Sequence, residues 1–238
     1  MAQSQGFFDS WLLYKEKISW GLLPAPDPTK TRAILCNGAS WGSSASKLDV
    51  LLSEINQEYG YSRYTWSPVA ADITFDAIDK RVEIAEATWS QTATGGAIQW
   101  NGVAILANAD AVANRLITSI NAATSTFTLS AHGRVNGDQL IITADPNGTL
   151  AGGLPTTPAI VYVVEATTNT FKASLTLGGS PITLTNAGIA PMRVRYANGE
   201  IVAGYRDTTS SLIPSGATRQ FNWNFSHFNS AAAVGTTW

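Results

Sequence analysis

The stretch 81–108 (RVEIAEATWSQTATGGAIQWNGVAILAN) constrains the fold of this chain more than any other. Val82 and Ile84 alternate with Glu83 and Ala85, the period of a strand with one buried face. Trp89 closes that run, and Thr94-Gly95-Gly96 supplies a turn. A second strand follows, offering Ile98, Trp100, Val103 and Ile105 to a core, with a break in alternation at Asn101-Gly102 such as a β-bulge makes. Read as a hairpin, these two strands cannot bury themselves. Residues 32–37 read as a buried strand, and 192–196, 200–206 and 218–225 carry alternation with the large aromatics Tyr196, Tyr205, Phe221, Trp223 and Phe225. The pattern predicts a mainly β protein, an antiparallel, jelly-roll-like sandwich, with these segments as partners of the hairpin.

Helical signals are few. Residues 47–58 (KLDVLLSEINQE) place Leu48, Leu51, Leu52 and Ile55 on one face, with Ser46 as a cap and Gly60 as a stop. Phe7, Phe8, Trp11, Leu12 and Ile18 fall at helical spacings, so 6–20 reads as a short amphipathic helix or a packed aromatic arm. Pro24, Pro26 and Pro28 then impose an extended linker. Short strands are expected at 61–66 and 72–76.

The composition changes near residue 110. From 114 to 191 there is no Trp, and Thr, Gly and short β-branched runs dominate. Within this span 116–130 (LITSINAATSTFTLS) resembles 160–174 (IVYVVEATTNTFKAS): strand, Ala/Thr-rich turn, Thr-Phe, strand. Many short strands with regular turns describe a small β module. The expected organisation is an N-terminal arm (1–27), a discontinuous sandwich (28–110 and 195–238), and a second β domain (111–194) inserted in a hairpin loop, where insertion costs least.

Charge excludes some functions. Charged residues make up 13% of the 238-residue chain, about half the usual share, and the net charge is −2. The fifteen Lys and Arg form no basic stripe, so no nucleic-acid partner is expected. No apolar run has the length of a membrane span, and the N-terminus lacks the pattern of a signal peptide, so synthesis in a cytoplasm is expected. The single cysteine, Cys36, lies in an apolar run and reads as a buried thiol.

Candidate chemistry is sparse. Gly38-Ala39-Ser40-Trp41-Gly42 matches G-x-S-x-G, the motif of a serine-hydrolase nucleophile elbow, with His132 and His227 as the available bases. A Gly/Ser-rich loop explains the match equally well, and the chain has no repeated strand–helix units to build the parallel sheet of such an enzyme. Asp72, Asp76 and Asp79 lack the calcium-loop spacing, and the histidines form no ligand pair. No catalytic residue, metal site or cofactor is therefore assigned. The eight tryptophans suggest either a sugar-stacking surface or core and interface anchors.

Several ordered motifs carry a resemblance: Ala33-Ile34-Leu35 after Thr31-Arg32, Glu54-Ile55-Asn56 and then Gly60-Tyr61-Ser62-Arg63, Asp76 to Arg81-Val82, Trp89 before Gly95-Gly96, Gly102-Val103-Ala104-Ile105-Leu106, Gly199 to Ala203, and Ile213 to Gly216. In this order they resemble virion structural proteins of tailed bacteriophages. The central span, with Thr126-Phe127-Thr128, His132-Gly133 and Asn136-Gly137-Asp138, is similar to β modules found in phage head and tail proteins. The resemblance implies a non-enzymatic virion component made in the host cytoplasm. It implies a homo-oligomer whose partners are other virion proteins, such as a major capsid or tail protein. The leading expectation is a capsid decoration or cement protein; the alternative is a tail, baseplate or fibre component touching the host surface, with a host glycan as its ligand. Phe7, Phe8, Trp11, Trp20 and Trp238 are the expected interface anchors.

Overall fold

The computed structural model describes residues 3–77 and 81–228. In chain order its elements are β1 (Gln3–Phe7), α1 (Asp9–Ser19), β2 (Arg32–Cys36), α2 (Lys47–Ser53), β3 (Tyr64–Thr65), β4 (Ile73–Asp76), β5 (Arg81–Thr92) and β6 (Ile98–Ala107). There follow β7 (Asn114–Leu116), β8 (Ser119–Asn121), β9 (Thr126–Thr128), β10 (Gln139–Ala144), β11 (Ile160–Val164), β12 (Thr170–Ser174) and β13 (Met192–Tyr196), and finally β14 (Glu200–Ile213) and β15 (Thr218–Phe228). The fold is mainly β, antiparallel and sandwich-like. Among the described residues it has two α-helices, one in each of the two stretches with helical signals. The chain divides into two compact units, 1–111 with 199–238, and 112–198.

In the first unit a five-stranded sheet runs β1-β14-β6-β2-β3, and a three-stranded sheet runs β15-β5-β4. The expected hairpin is therefore not a hairpin. β5 pairs with β15 and β4, whereas β6 pairs with β14 and β2. The turn after β5 carries the chain from one sheet to the other, with Gly95 at φ 75° and Thr94 N–H held by the Tyr59 carbonyl. Alternation specified two strands with inward tryptophans; it could not specify that they lie in different sheets. Aromatic rings join those sheets: Trp89 stacks on Phe221 of its own sheet at 5.1 Å, and this pair meets Tyr64 of β3 at 5.5 Å and Trp100 of β6 at 5.0 Å.

β2 is buried along its whole length, and so is β6 from Trp100 onward, as befits central strands with both faces covered. α2 lies against β2 and β14. Its start is the one expected: the Ser46 hydroxyl accepts from Asp49 N–H, and the Asp49 carboxylate accepts from Ser46 N–H, a reciprocal capping box. It ends five residues short of the expected 58. Glu54 bridges to Cys36 instead of continuing the helix, and its side chain turns inward to Arg63. The irregularity expected at Asn101-Gly102 falls on the partner strand, where 207–210 bulge opposite Asn101 alone. The N-terminal segment is partly strand: β1 pairs with β14, and the helix begins only at Asp9.

Nine residues after α2 begins to unwind, Arg63 meets Glu54 in a buried two-pronged ion pair. Arg63 Nε and Nη2 donate to the two carboxylate oxygens at 2.8 and 2.7 Å, and both side chains are fully shielded from solvent. Tyr61 Oη donates to the same carboxylate at 2.9 Å and accepts from Leu35 N–H of β2, while Arg63 Nη1 donates to the Asp110 carbonyl. Burial works against the Arg63 charge, but the Glu54 carboxylate outweighs it, so the guanidinium holds its proton more tightly than usual. Burial, followed by the Glu54 charge, pushes the Tyr61 hydroxyl well above its ordinary range.

The second unit is a seven-stranded sheet, β7-β13-β10-β11-β12-β9-β8. Met192–Tyr196, expected in the sandwich, is its strand β13, between β7 and β10; the boundary accordingly falls at 198 rather than 194. The internal repeat has a structural counterpart. Phe127 and Phe171 occupy equivalent places in the two copies, and they are direct partners across β9 and β12, with stacked rings 5.3 Å apart. The two halves thus meet through like strands, and both phenylalanines are core, with Leu140, Val163 and Val194.

Glu200 of β14 is opposite Ala107 of β6, and Gly199, at φ 98°, sits so close to Ala109 and the Ala107 carbonyl that a side chain there would clash. The first unit is therefore closed across the point where 112–198 leave and rejoin it. Replacing 112–198 by a short Gly/Ser turn is expected to leave a protein that unfolds in one cooperative step with β-type circular dichroism; an unfolded product would refute the independence of the first unit. Arg63→Met is expected to cost about 3–5 kcal/mol, because it strands the buried Glu54 charge, with Glu54→Leu/Arg63→Met losing far less. Urea titration of the two variants checks this.

Candidate functional site

The G-x-S-x-G stretch lies between β2 and α2. Its backbone is fastened from below by Asn101, whose Oδ1 accepts from Ala39 N–H at 2.9 Å and whose Nδ2 donates to the Ala39 and Asp207 carbonyls. Trp41 is buried, with its indole N–H on Ser53 Oγ at 2.9 Å and its ring 5.7 Å from Phe8. These anchors leave Ser40 exposed on an open cleft of about 560 Å³, whose wall includes Asn37, Gly38, Asp49 and Ser53.

The geometry differs from a nucleophile elbow in three ways. The strand before Ser40 is part of an antiparallel sheet, the helix starts only at Lys47, and the left-handed residue is Gly38 (φ 73°) rather than the serine. Asp49, the carboxylate in the cleft wall, is occupied by the Ser46 N–H and hydroxyl. Of the two histidines, His132 belongs to the second unit. There its Nδ1 accepts from Arg134 N–H at 2.9 Å, its Nε2 lies 3.2 Å from the Thr170 carbonyl, and its ring packs on Phe171. His227 lies on β15 opposite Val82.

The acids resolve into local roles. Asp72 accepts from Val69 N–H at the turn before β4, and Asp76 ends β4 opposite Arg81; Asp79 lies outside the described residues. In the second unit, Asp145 takes Arg193 at 2.9 Å, and Asp138 takes Arg134, whose guanidinium lies over the Tyr196 ring.

The expected interface residues separate clearly. Phe8 is fully buried in its own unit, its N–H on the Val202 carbonyl, and has no surface to offer a neighbour. Phe7 and Trp11 are half-buried, and Trp11 stacks on Tyr14 at 5.4 Å. Trp20 is 78% exposed; Trp238 lies outside the described residues. Other exposed apolar side chains of this segment were passed over in the sequence: Leu13 at 59% and Leu22 at 71% exposure, with Leu23. α1 buries none of its residues. A tight turn ends it, with Leu22 and Leu23 N–H on the Lys17 carbonyl and Gly21 at φ 69°. The signal was present in Trp20-Gly21-Leu22-Leu23, an apolar run at a helix end beside a proline linker.

No family model matches this chain, and neither the curated proteins nor the solved structures searched contain a match to it. For the Ser40 cleft, short-chain nitrophenyl ester hydrolysis is expected to be the same in wild type and in Ser40→Ala. A loss on substitution would make the serine a nucleophile.

Proposed function

We propose that this protein is a structural component of a tailed-bacteriophage virion, a multimeric capsid decoration or cement protein that bridges neighbouring shell proteins. The observation that carries this reading is the apolar surface of α1 and the turn after it. A helix none of whose residues is fully buried, followed by a turn, which together display Leu13, Trp20 and Leu22 to solvent, presents apolar side chains of the kind found in an interface core. The low charge of the chain agrees with a surface that is covered in its working state. The setting rests on the resemblance of the motif order to that of phage virion proteins. A tail or baseplate position is the competing reading and uses the same surface.

Tryptophan anchors typically contribute about 2 kcal/mol or more to an interface, a factor of roughly thirty in association. Trp20→Ser/Leu22→Ser is therefore expected to shift the protein from multimer to monomer in light scattering at unchanged melting temperature, and to abolish rescue of heads lacking the protein. Rescue of wild-type protein on heads supports decoration, and recovery on isolated tails supports the competing position. A double variant that assembles normally would overturn the role of α1.

A further inference from the structure

We infer that Asn37 is a self-modifying site, at which the folded protein converts an asparagine side chain into aspartate and isoaspartate. The chain contains five Asn-Gly steps, at Asn37, Asn101, Asn136, Asn147 and Asn198. All five share the chemistry: glycine puts no side chain in the way of attack by its own backbone nitrogen on the preceding carboxamide. The fold treats them differently.

Asn101 is buried, with both ends of its amide clamped by the Ala39 and Asp207 backbone. Asn198 is clamped at both ends too, Oδ1 by Gln139 N–H and Nδ2 by the Asp138 carboxylate. At Asn136 the side chain caps Ala166 N–H while Gly137 N–H is held by the Val163 carbonyl. At Asn147 the following Gly148 N–H is tied to the Asp145 carbonyl, and Gly148 is crowded by the Pro191 carbonyl.

Asn37 is arranged for the reaction. It is exposed, and its backbone is fixed by its own N–H on the Ser53 carbonyl. Gly38 N–H points at the Asn37 Oδ1 at 3.1 Å, and nothing lies within 4 Å of the Gly38 side-chain position. The nitrogen is thus held beside the carboxamide; once its proton is lost to hydroxide, a turn of the exposed Asn37 side chain replaces Oδ1 by Cγ in front of the freed electron pair. Ser210 Oγ donates to the same Oδ1 at 3.3 Å, from the bulged part of β14. It thus stabilises the oxygen on which negative charge develops when the nitrogen adds to Cγ, as an oxyanion-hole donor does.

The balance is simple. The Gly38 nitrogen forms a bond to Asn37 Cγ, the Cγ–Nδ2 bond breaks, and ammonia leaves with the proton removed from Gly38. Water then opens the five-membered imide at either carbonyl, giving aspartate or its backbone-lengthened isomer. No redox partner is needed. The product carries one more negative charge at the rim of the Ser40 cleft.

The experiment is peptide mapping by mass spectrometry of the full-length folded protein, aged in mildly alkaline buffer, alongside protein aged in denaturant. Expected in the folded sample is a gain of one mass unit, with the aspartate/isoaspartate doublet, in the Asn37 peptide ahead of the other four. In denaturant the five should react alike. Ser210→Ala, verified as folded by circular dichroism, is expected to slow the folded reaction about fivefold, the effect of one neutral hydrogen bond in the transition state, and to leave the denatured rate unchanged. Equal rates at all five steps in the folded protein, or a rate insensitive to Ser210→Ala, would overturn the assignment.

Discussion

The first unit depends on a pair of opposite charges that water cannot reach. Glu54 and Arg63 are both fully buried, so neither is tolerable without the other. Around them the connection between α2 and β3 is drawn tight: Tyr61 links the carboxylate to the backbone of β2, and Arg63 holds the Asp110 carbonyl. A buried ion pair adds little net stability compared with well-packed apolar groups, but it tolerates one arrangement only. Its contribution here is to register: it fixes where α2 must stop and where the chain beyond β6 must pass.

That last contact bears on how a second unit is accommodated. β6 and β14 are antiparallel neighbours, an arrangement that a tight turn would normally close. Instead 87 residues' worth of separate fold is threaded between Ala111 and Gly199. The ends are pinned within the first unit, by Asp110 on Arg63, by Ala109 N–H on the Lys30 carbonyl, and by the close approach of Gly199 to Ala109. Loop length costs little entropy once the ends are held. The second unit asks nothing of the first for its core, since Phe127, Phe171, Leu140 and Val194 come from its own strands.

What the sequence disclosed follows the range of the interactions involved. Local chemistry was readable: the Ser46 cap, the buried run at Ile34 and Leu35, the strands around Trp89 and Trp100, and the repeat that pairs Phe127 with Phe171. Partner choice was not. Alternation in 192–196 suits either sheet, and only the pairing of β13 with β10 and β7 decides between them. The helix at 47–58 was overestimated because its apolar spacing continues to Ile55, whereas the chain obeys the distant demand of Arg63 for Glu54. At the cleft, the motif around Ser40 was visible, but its anchoring by Asn101, sixty-odd residues away, was not.

Phe8 and Trp20 show how one aromatic-rich segment serves two physical ends. Both looked like anchors in the sequence. Phe8 follows directly on the pairing of β1 with β14, which places it in the core beside Trp41. Trp20 stands past the end of a helix that packs on β14 with its residues at most half-buried, and its side chain is left 78% exposed. Exposing a tryptophan with Leu13 and Leu22 costs the monomer solubility and gains it no stability. On the proposed reading that cost is offset in the assembled virion, where the same side chains are covered. The division falls at Asp9, where β-pairing ends and the helix begins: residues before it are tied into the sheet, and on the proposed reading the exposed apolar residues after it are left for a neighbour.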